Sequence, residues 1–212
     1  HGGAADTKAA ATTTTTTETN CSGFTDIKAT DTNCPIYTWV KKAGIFTGNA
    51  DGTFNPNGLL QRDQVIKTVL EAFKKYHAGT EYCTSGDAFA DVGKDSWARE
   101  YVCLAKTTYV RGAYLVTGYQ SGPYKGLFVP ANNVNRSEFL AMILRNLPTD
   151  MPTVTTKPYS DVELGQWDTG FAAYAAAHLS AIYPEPNLYR AKAVTRLEAA
   201  KVFYAMHNLG AF

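Results

Sequence analysis

The chain has 212 residues, a formal net charge of +1, and hydrophobic and charged shares of 45% and 18%. This length allows a sizeable core in one domain or two small ones, and the near-neutral charge without a Lys/Arg cluster argues against nucleic acid as a partner. No apolar stretch approaches the ~20 residues that span a bilayer, so membrane insertion is not expected. The chain begins without Met, which we interpret as a secreted protein whose signal peptide has been removed.

The first predicted element is a Thr-rich N-terminal segment, residues 1–22, with an extended conformation. Threonine is β-branched and uncharged, so such a run suits strand pairing or a groove on a neighbouring subunit. A head-to-tail contact of this kind builds a filament or lattice. The alternative is a segment packed along its own domain. The predicted subunit contacts are Thr12, Thr13, Thr14, Thr15, Thr16 and Thr17.

Four cysteines follow, and their even number and lack of zinc-site spacing favour disulfides over a metal site. Three pairings are open. We favour Cys21 with Cys34 and Cys83 with Cys103, because each pair then ties the segment that leads into a predicted helix to that helix. Free buried thiols are the alternative. Disulfides would indicate an oxidising, extracellular compartment.

Three segments of the chain fit one template, which opens as FTDI at Phe24, FADV at Phe89 and YSDV at Tyr159. Each opening is followed by a predicted helix, a stretch rich in turn residues and a second helix. The expected fold is therefore mainly α. After the N-terminal segment, we predict three copies of one repeat, at residues 23–80, 81–150 and 151–212.

The second helix of each copy begins with a recognisable signal. The sequence reads QRDQ from Gln61, NRSE from Asn135 and TRLE from Thr195, and each four-residue spacing resembles a capping box. Apolar residues then recur at helical spacing. These apolar stripes predict a packed core and not a cofactor site.

Each of these helices carries an arginine in its first turn: Arg62, Arg136 and Arg196. A cation there faces the positive end of the helix dipole, so local helix energetics do not favour it. One interpretation is an anion site, in which free backbone N–H groups and the guanidinium bind a carboxylate or phosphate. The other is an ion pair within the fold, for instance with the aspartates of the three openings, Asp26, Asp91 and Asp161.

These motifs together resemble the S-layer homology (SLH) domain, usually found as three tandem copies, over about residues 24 to 207. The resemblance implies a pseudo-threefold bundle with one helix of each copy at its centre, and grooves between copies that bind cell-wall polysaccharide with acidic groups such as ketal-linked pyruvate. The third copy lacks the glycine-rich turn, so we expect its groove to be closed or altered. Carried over from the resemblance, the candidate binding residues are Arg62, Arg136, Arg196, Trp97, Trp167, Gly48, Asp51 and Gly118.

The sequence shows no catalytic, nucleotide-binding or metal-ligand motif, and NADGTFNPNG is typical of a turn and not of a calcium loop. We therefore predict a non-enzymatic extracellular structural protein without a cofactor. Its expected partners are copies of itself, in a surface layer or filament, and cell-wall polysaccharide. The alternatives are a monomeric module that anchors to acidic wall polysaccharide and, as a third hypothesis, a wall-glycan hydrolase.

Overall fold

A computed structural model of the protein describes residues 19–84, 86 and 88–212, and this part of the chain is mainly helical. A 3-10 turn at Cys21–Gly23 comes first, and a two-stranded antiparallel hairpin pairs β1 (Tyr109–Val110) with β2 (Ala113–Tyr114). The predicted contacts Thr12 to Thr17 lie outside the described residues. No helix in the described ranges is long and apolar enough to cross a membrane. The α-helices are α1 (Cys34–Lys42), α2 (Arg62–Ala72), α3 (Arg99–Thr107), α4 (Arg136–Leu144), α5 (Thr169–His178) and α6 (Arg196–Asn208).

The predicted caps of α2, α4 and α6 are confirmed. At α4, Glu138 N–H donates to the side chain of Asn135 (2.9 Å), and Asn135 N–H donates to the Glu138 carboxylate (3.1 Å). In α6, Glu198 N–H donates to the side chain of Thr195. In α2, Gln61 N–H donates to the side chain of Gln64. Capping therefore fixes the residue at which each helix begins.

Both favoured disulfides are confirmed, Cys21 with Cys34 and Cys83 with Cys103. The Cα atoms of the two pairs are 5.6 and 5.3 Å apart, within the usual range for a bridge. Each bridge joins the segment before a helix, α1 or α3, to the helix itself. The described residues contain no free cysteine.

The centre of the core is a closed ring of three backbone hydrogen bonds. Leu60 N–H donates to Val194 O (3.0 Å), Val194 N–H to Val134 O (2.9 Å), and Val134 N–H to Leu60 O (2.9 Å). All three residues are fully buried and directly precede the caps of α2, α4 and α6. The helices pack in the pairs α1 with α6, α2 with α3, and α4 with α5, and α2 also contacts α4.

The first backbone amides of α2, α4 and α6 are already hydrogen-bonded within the fold. Each of these helices starts against a turn from another part of the chain, whose carbonyls accept its first two N–H groups. These amides are not free for a ligand, so that part of the anion-site expectation was wrong. The bonds run from Arg62 to Asn132 (2.9 Å), Asp63 to Pro130 (3.1 Å), Arg136 to Lys192 (3.0 Å), Ser137 to Arg190 (3.2 Å), Arg196 to Gly58 (2.9 Å) and Leu197 to Pro56 (3.0 Å).

Candidate functional site

The three first-turn arginines lie across turns that belong to other segments of the chain. Each guanidinium donates to a turn carbonyl: Arg62 to Phe128 O (2.7 Å), Arg136 to Leu188 O (2.7 Å) and Arg196 to Phe54 O (2.6 Å). Each also stacks on an aromatic ring at the same place, with centroid distances of 4.6 to 5.1 Å. These long-range contacts compensate for the unfavourable position of a cation at the start of a helix.

The aspartates of the three openings hold the same turns from the other side. Each carboxylate accepts two backbone N–H groups, as a charged acceptor does in a tight turn. The expectation of ion pairs within the fold is confirmed for Arg136 and Arg62, but with the glutamates Glu198 and Glu138. The aspartates given as examples were wrong, because their oxygens bind backbone amides. The donors are Phe54 and Asn55 to Asp26, Phe128 and Val129 to Asp91, and Leu188 and Arg190 to Asp161.

Arg136 is fully engaged by protein groups. Its Nε and Nη2 donate to the two carboxylate oxygens of Glu198 at 2.8 and 3.1 Å, and the side chains of the pair are only 12% and 11% exposed. Burial lowers the pKa of Arg136, but the hydrogen bonds and charge of Glu198 outweigh it and raise the pKa overall. With Nη1 on Leu188 O, this guanidinium has little capacity left for a ligand.

Arg62 is only loosely neutralised. Its Nη1 lies 3.5 Å from the Glu138 carboxylate, at the limit of a hydrogen bond, although its side chain is just 6% exposed. Glu138 occupies the third helical position of α4, and Glu198 occupies that position in α6. The partner of each of these two arginines is therefore a glutamate from the start of another helix.

Arg196 has no such partner. The equivalent third position of α2 is Gln64, which is uncharged. In the described part of the chain, no carboxylate forms an ion pair with Arg196. Burial lowers the pKa of this arginine, and the more distant charge of Asp26 opposes that shift without outweighing it. Removing a charge from water is costly unless an opposite charge or hydrogen bonds compensate. Arg196 is therefore a partly buried cation that an anionic ligand would stabilise.

A cavity of about 460 Å³ brings three of the predicted site residues together: Arg62, Gly118 and Trp167. We call it the arginine cavity. The indole of Trp167 is 56% exposed, so one of its faces is accessible to a ligand. Gly118 has a φ of +70°, and a Cβ atom there would lie 2.8 Å from Leu127 O, so this wall requires glycine.

Arg145, which sequence analysis missed, also lines the arginine cavity. It is the C-cap of α4, and its guanidinium carbon lies 5.7 Å from the ring centroid of Phe171. Burial lowers its pKa, and the described residues supply no ion-pair partner for it. The cavity therefore contains two cations, Arg62 and Arg145, against the single carboxylate of Glu138.

The remaining predicted site residues are spread over the surface. Trp97 is 55% exposed beside Tyr101 at the start of α3. Gly48 lies in the turn that Arg196 crosses, where a Cβ atom would come within 2.8 Å of the Phe24 ring. Asp51 lies in the same turn, and hydrogen bonds from Thr53 to its carboxylate lower its pKa. Asp51 therefore stabilises its own turn.

Comparison with known proteins identifies an S-layer homology domain at residues 23–66. Over 159 residues, or 71% of the chain, the sequence is 30% identical to "Cell surface glycoprotein 1" of Acetivibrio thermocellus. The aligned region covers 6% of that glycoprotein, so the chain spans a small part of this relative's length. The two findings indicate a protein located outside the cell, at the cell surface.

Proposed function

We propose that this cell-surface protein is a non-enzymatic module that binds an acidic cell-wall polysaccharide at Arg62 and Arg196, and that Arg136 has a structural role. The observation that carries the proposal is the unequal neutralisation of three arginines in equivalent positions. Glu198 binds Arg136 through both carboxylate oxygens, Glu138 lies 3.5 Å from Arg62, and Arg196 has the uncharged Gln64 at the corresponding place. A carboxylate on a sugar supplies the missing charge.

We also propose that residues 23–80, 81–150 and 151–212 are three copies of one repeat around a pseudo-threefold axis. The closed ring of hydrogen bonds among Leu60, Val134 and Val194 supports this arrangement, because each copy contributes one residue to it. Helices α2, α4 and α6 would then be central, and α1, α3 and α5 would be peripheral. The helix pairs α1 with α6, α2 with α3, and α4 with α5 support the same proposal, because each pair joins helices of two different copies.

The arginine cavity suits a sugar ring with an acidic substituent. The exposed face of Trp167 offers a stacking surface for the ring, and the two arginines offer charge-assisted donors to a carboxylate. The volume of about 460 Å³ lies within the range of small-ligand sites. We therefore place one acidic sugar of the polysaccharide between Trp167, Arg62 and Arg145, and a second acidic sugar at Arg196.

Substitution of Arg62 or Arg196 by glutamine is expected to weaken polysaccharide binding about tenfold each, because a charge-assisted hydrogen bond contributes about 1.5–3 kcal/mol. The measurement is titration calorimetry with a purified wall polysaccharide that carries ketal-linked pyruvate. The comparison variant Arg136→Gln, assayed at a temperature where it is folded, is expected to keep the affinity of the native protein. Loss of affinity in Arg136→Gln with none in the other two variants would refute the proposal.

Our second proposal is self-assembly into a surface layer or filament, with the N-terminal segment on a neighbouring subunit. The threonine-rich run supports it, because β-branched, uncharged residues suit strand pairing with another subunit. We expect negative-stain electron microscopy to show polymers of the purified chain and monomers after deletion of residues 1–18. Monomers of the complete chain at high concentration would rule this proposal out.

A further inference from the structure

A second cavity adjoins the arginine cavity. It has a volume of about 580 Å³ and lies between the β1–β2 hairpin, the Cys83–Cys103 bridge and α3. We call it the hairpin cavity. Its described lining includes Tyr82, Lys106 and Tyr114.

The two cavities share a wall. Val116, Thr117 and Gln120 line both of them. The Gln120 side chain donates to Thr117 O (2.9 Å) and Gly118 O (3.2 Å), which holds this wall in place. The two cavities are therefore neighbours on either side of residues 116–120.

The lining of the hairpin cavity differs in charge from that of the arginine cavity. Its single cation among the described residues is Lys106, whose ammonium lies 4.7 Å from the Phe89 ring centroid. The rest of the described lining consists of tyrosine and phenylalanine rings, small apolar side chains, the disulfide, hydroxyls and an amide, and Tyr114 is 45% exposed. Aromatic faces with scattered hydrogen-bonding groups suit an uncharged sugar ring better than an isolated anion.

We propose that the two cavities form one extended site, in which the hairpin cavity binds uncharged sugar residues next to the acidic sugar on the same polysaccharide chain. This inference rests on the proposed function, because the acidic sugar occupies the arginine cavity. The shared wall makes the two parts neighbours, so that one polysaccharide chain lying over residues 116–120 would contact both. Tyr114 of β2 lines the second part and supplies its stacking surface.

The test compares two probes, a monosaccharide with a ketal-linked pyruvate and a longer fragment of the same wall polysaccharide that ends in that sugar. We expect the wild type to bind the longer fragment about tenfold more tightly than the monosaccharide. Tyr114→Ala is expected to remove this gain and to leave monosaccharide affinity unchanged. Lys106→Gln is a second variant, and we expect it to reduce the gain in affinity for the longer fragment by less than Tyr114→Ala does.

Tyr189→Ala is the matched control, because Tyr189 is 60% exposed and lines neither cavity. We expect it to bind both probes as the wild type does. Equal affinity of the wild type for the two probes, or an unchanged gain in Tyr114→Ala, overturns the extended site and leaves the proposed function intact. Failure of the wild type to bind either probe overturns both.

Discussion

Substitution of Arg136 by glutamine is expected to lower the free energy of unfolding by about 3–5 kcal/mol, because it leaves the Glu198 carboxylate buried without its partner. The Glu198 side chain is 11% exposed and receives two hydrogen bonds from Arg136. The substitution also removes the contacts of the guanidinium with Leu188 O and the Tyr183 ring. Urea denaturation followed by circular dichroism measures the change.

The control for this prediction is Arg196→Gln, which removes the same charge from an equivalent position. It leaves no buried carboxylate without a partner, and it loses one hydrogen bond to Phe54 O and the contacts with the Phe46 and Phe54 rings. We expect a cost of about 1 kcal/mol. The double variant Arg136→Gln, Glu198→Gln should recover part of the stability lost in Arg136→Gln. Equal destabilisation by the two single variants would show that Glu198 does not distinguish the arginines.

The second large effect is expected from Gln64→Glu, which should weaken binding of the acidic polysaccharide about tenfold without destabilising the fold. Glu138 and Glu198, at the third positions of α4 and α6, pair with Arg62 and Arg136. A glutamate at the third position of α2 would occupy the equivalent place next to Arg196. It would neutralise Arg196 from within the protein. A carboxylate in the first helical turn also adds about 0.3–1 kcal/mol of favourable dipole interaction.

The matched control for Gln64→Glu is Asn208→Asp, which adds the same charge at an exposed position. Asn208 is the last residue of α6, the helix that Arg196 begins, so the new carboxylate lies about 18 Å from Arg196 along the helix. We expect Asn208→Asp to bind the polysaccharide as the wild type does. Weakening by both variants to the same degree would indicate a general charge effect and not a local one.

Local signals in the sequence predicted much of the fold. The caps at Gln61, Asn135 and Thr195 depend on residues three positions apart, so their spacing is visible in the sequence. The disulfide pairing followed from the order of cysteines and helices. The hairpin was not predicted, because two-residue strands leave no alternating pattern to detect.

The partners of the candidate site could not be predicted in the same way. In the sequence, Glu138 and Glu198 are recognisable only as capping residues, whereas each also pairs with an arginine 76 or 62 positions earlier in the chain. Such pairs depend on how distant segments pack.

Arg145 stands out in the sequence only when α4 is compared with α2 and α6, where the corresponding residues are Glu71 and Ala205.

The closed or altered third groove stays a prediction. Arg136 crosses the turn of residues 183–190, which replaces the glycine-rich pattern of the other two turns, and its guanidinium is taken up by Leu188 O and Glu198. The sequence indicated the altered turn, but not that Glu198 would engage the arginine as well. Arg196, in the third predicted copy, likewise crosses a turn of a different predicted copy, the one that contains Phe54.

The most direct test of the account is a double-mutant cycle between Gln64→Glu and Arg196→Gln, measured by titration calorimetry with the pyruvylated wall polysaccharide. If Arg196 binds an acidic sugar of its own, outside the arginine cavity, each single variant loses about tenfold in affinity and the double variant loses no more than either one. Two results would contradict a ligand carboxylate at Arg196. One is a double variant whose loss of affinity is the product of the two single losses, and the other is wild-type affinity in Gln64→Glu.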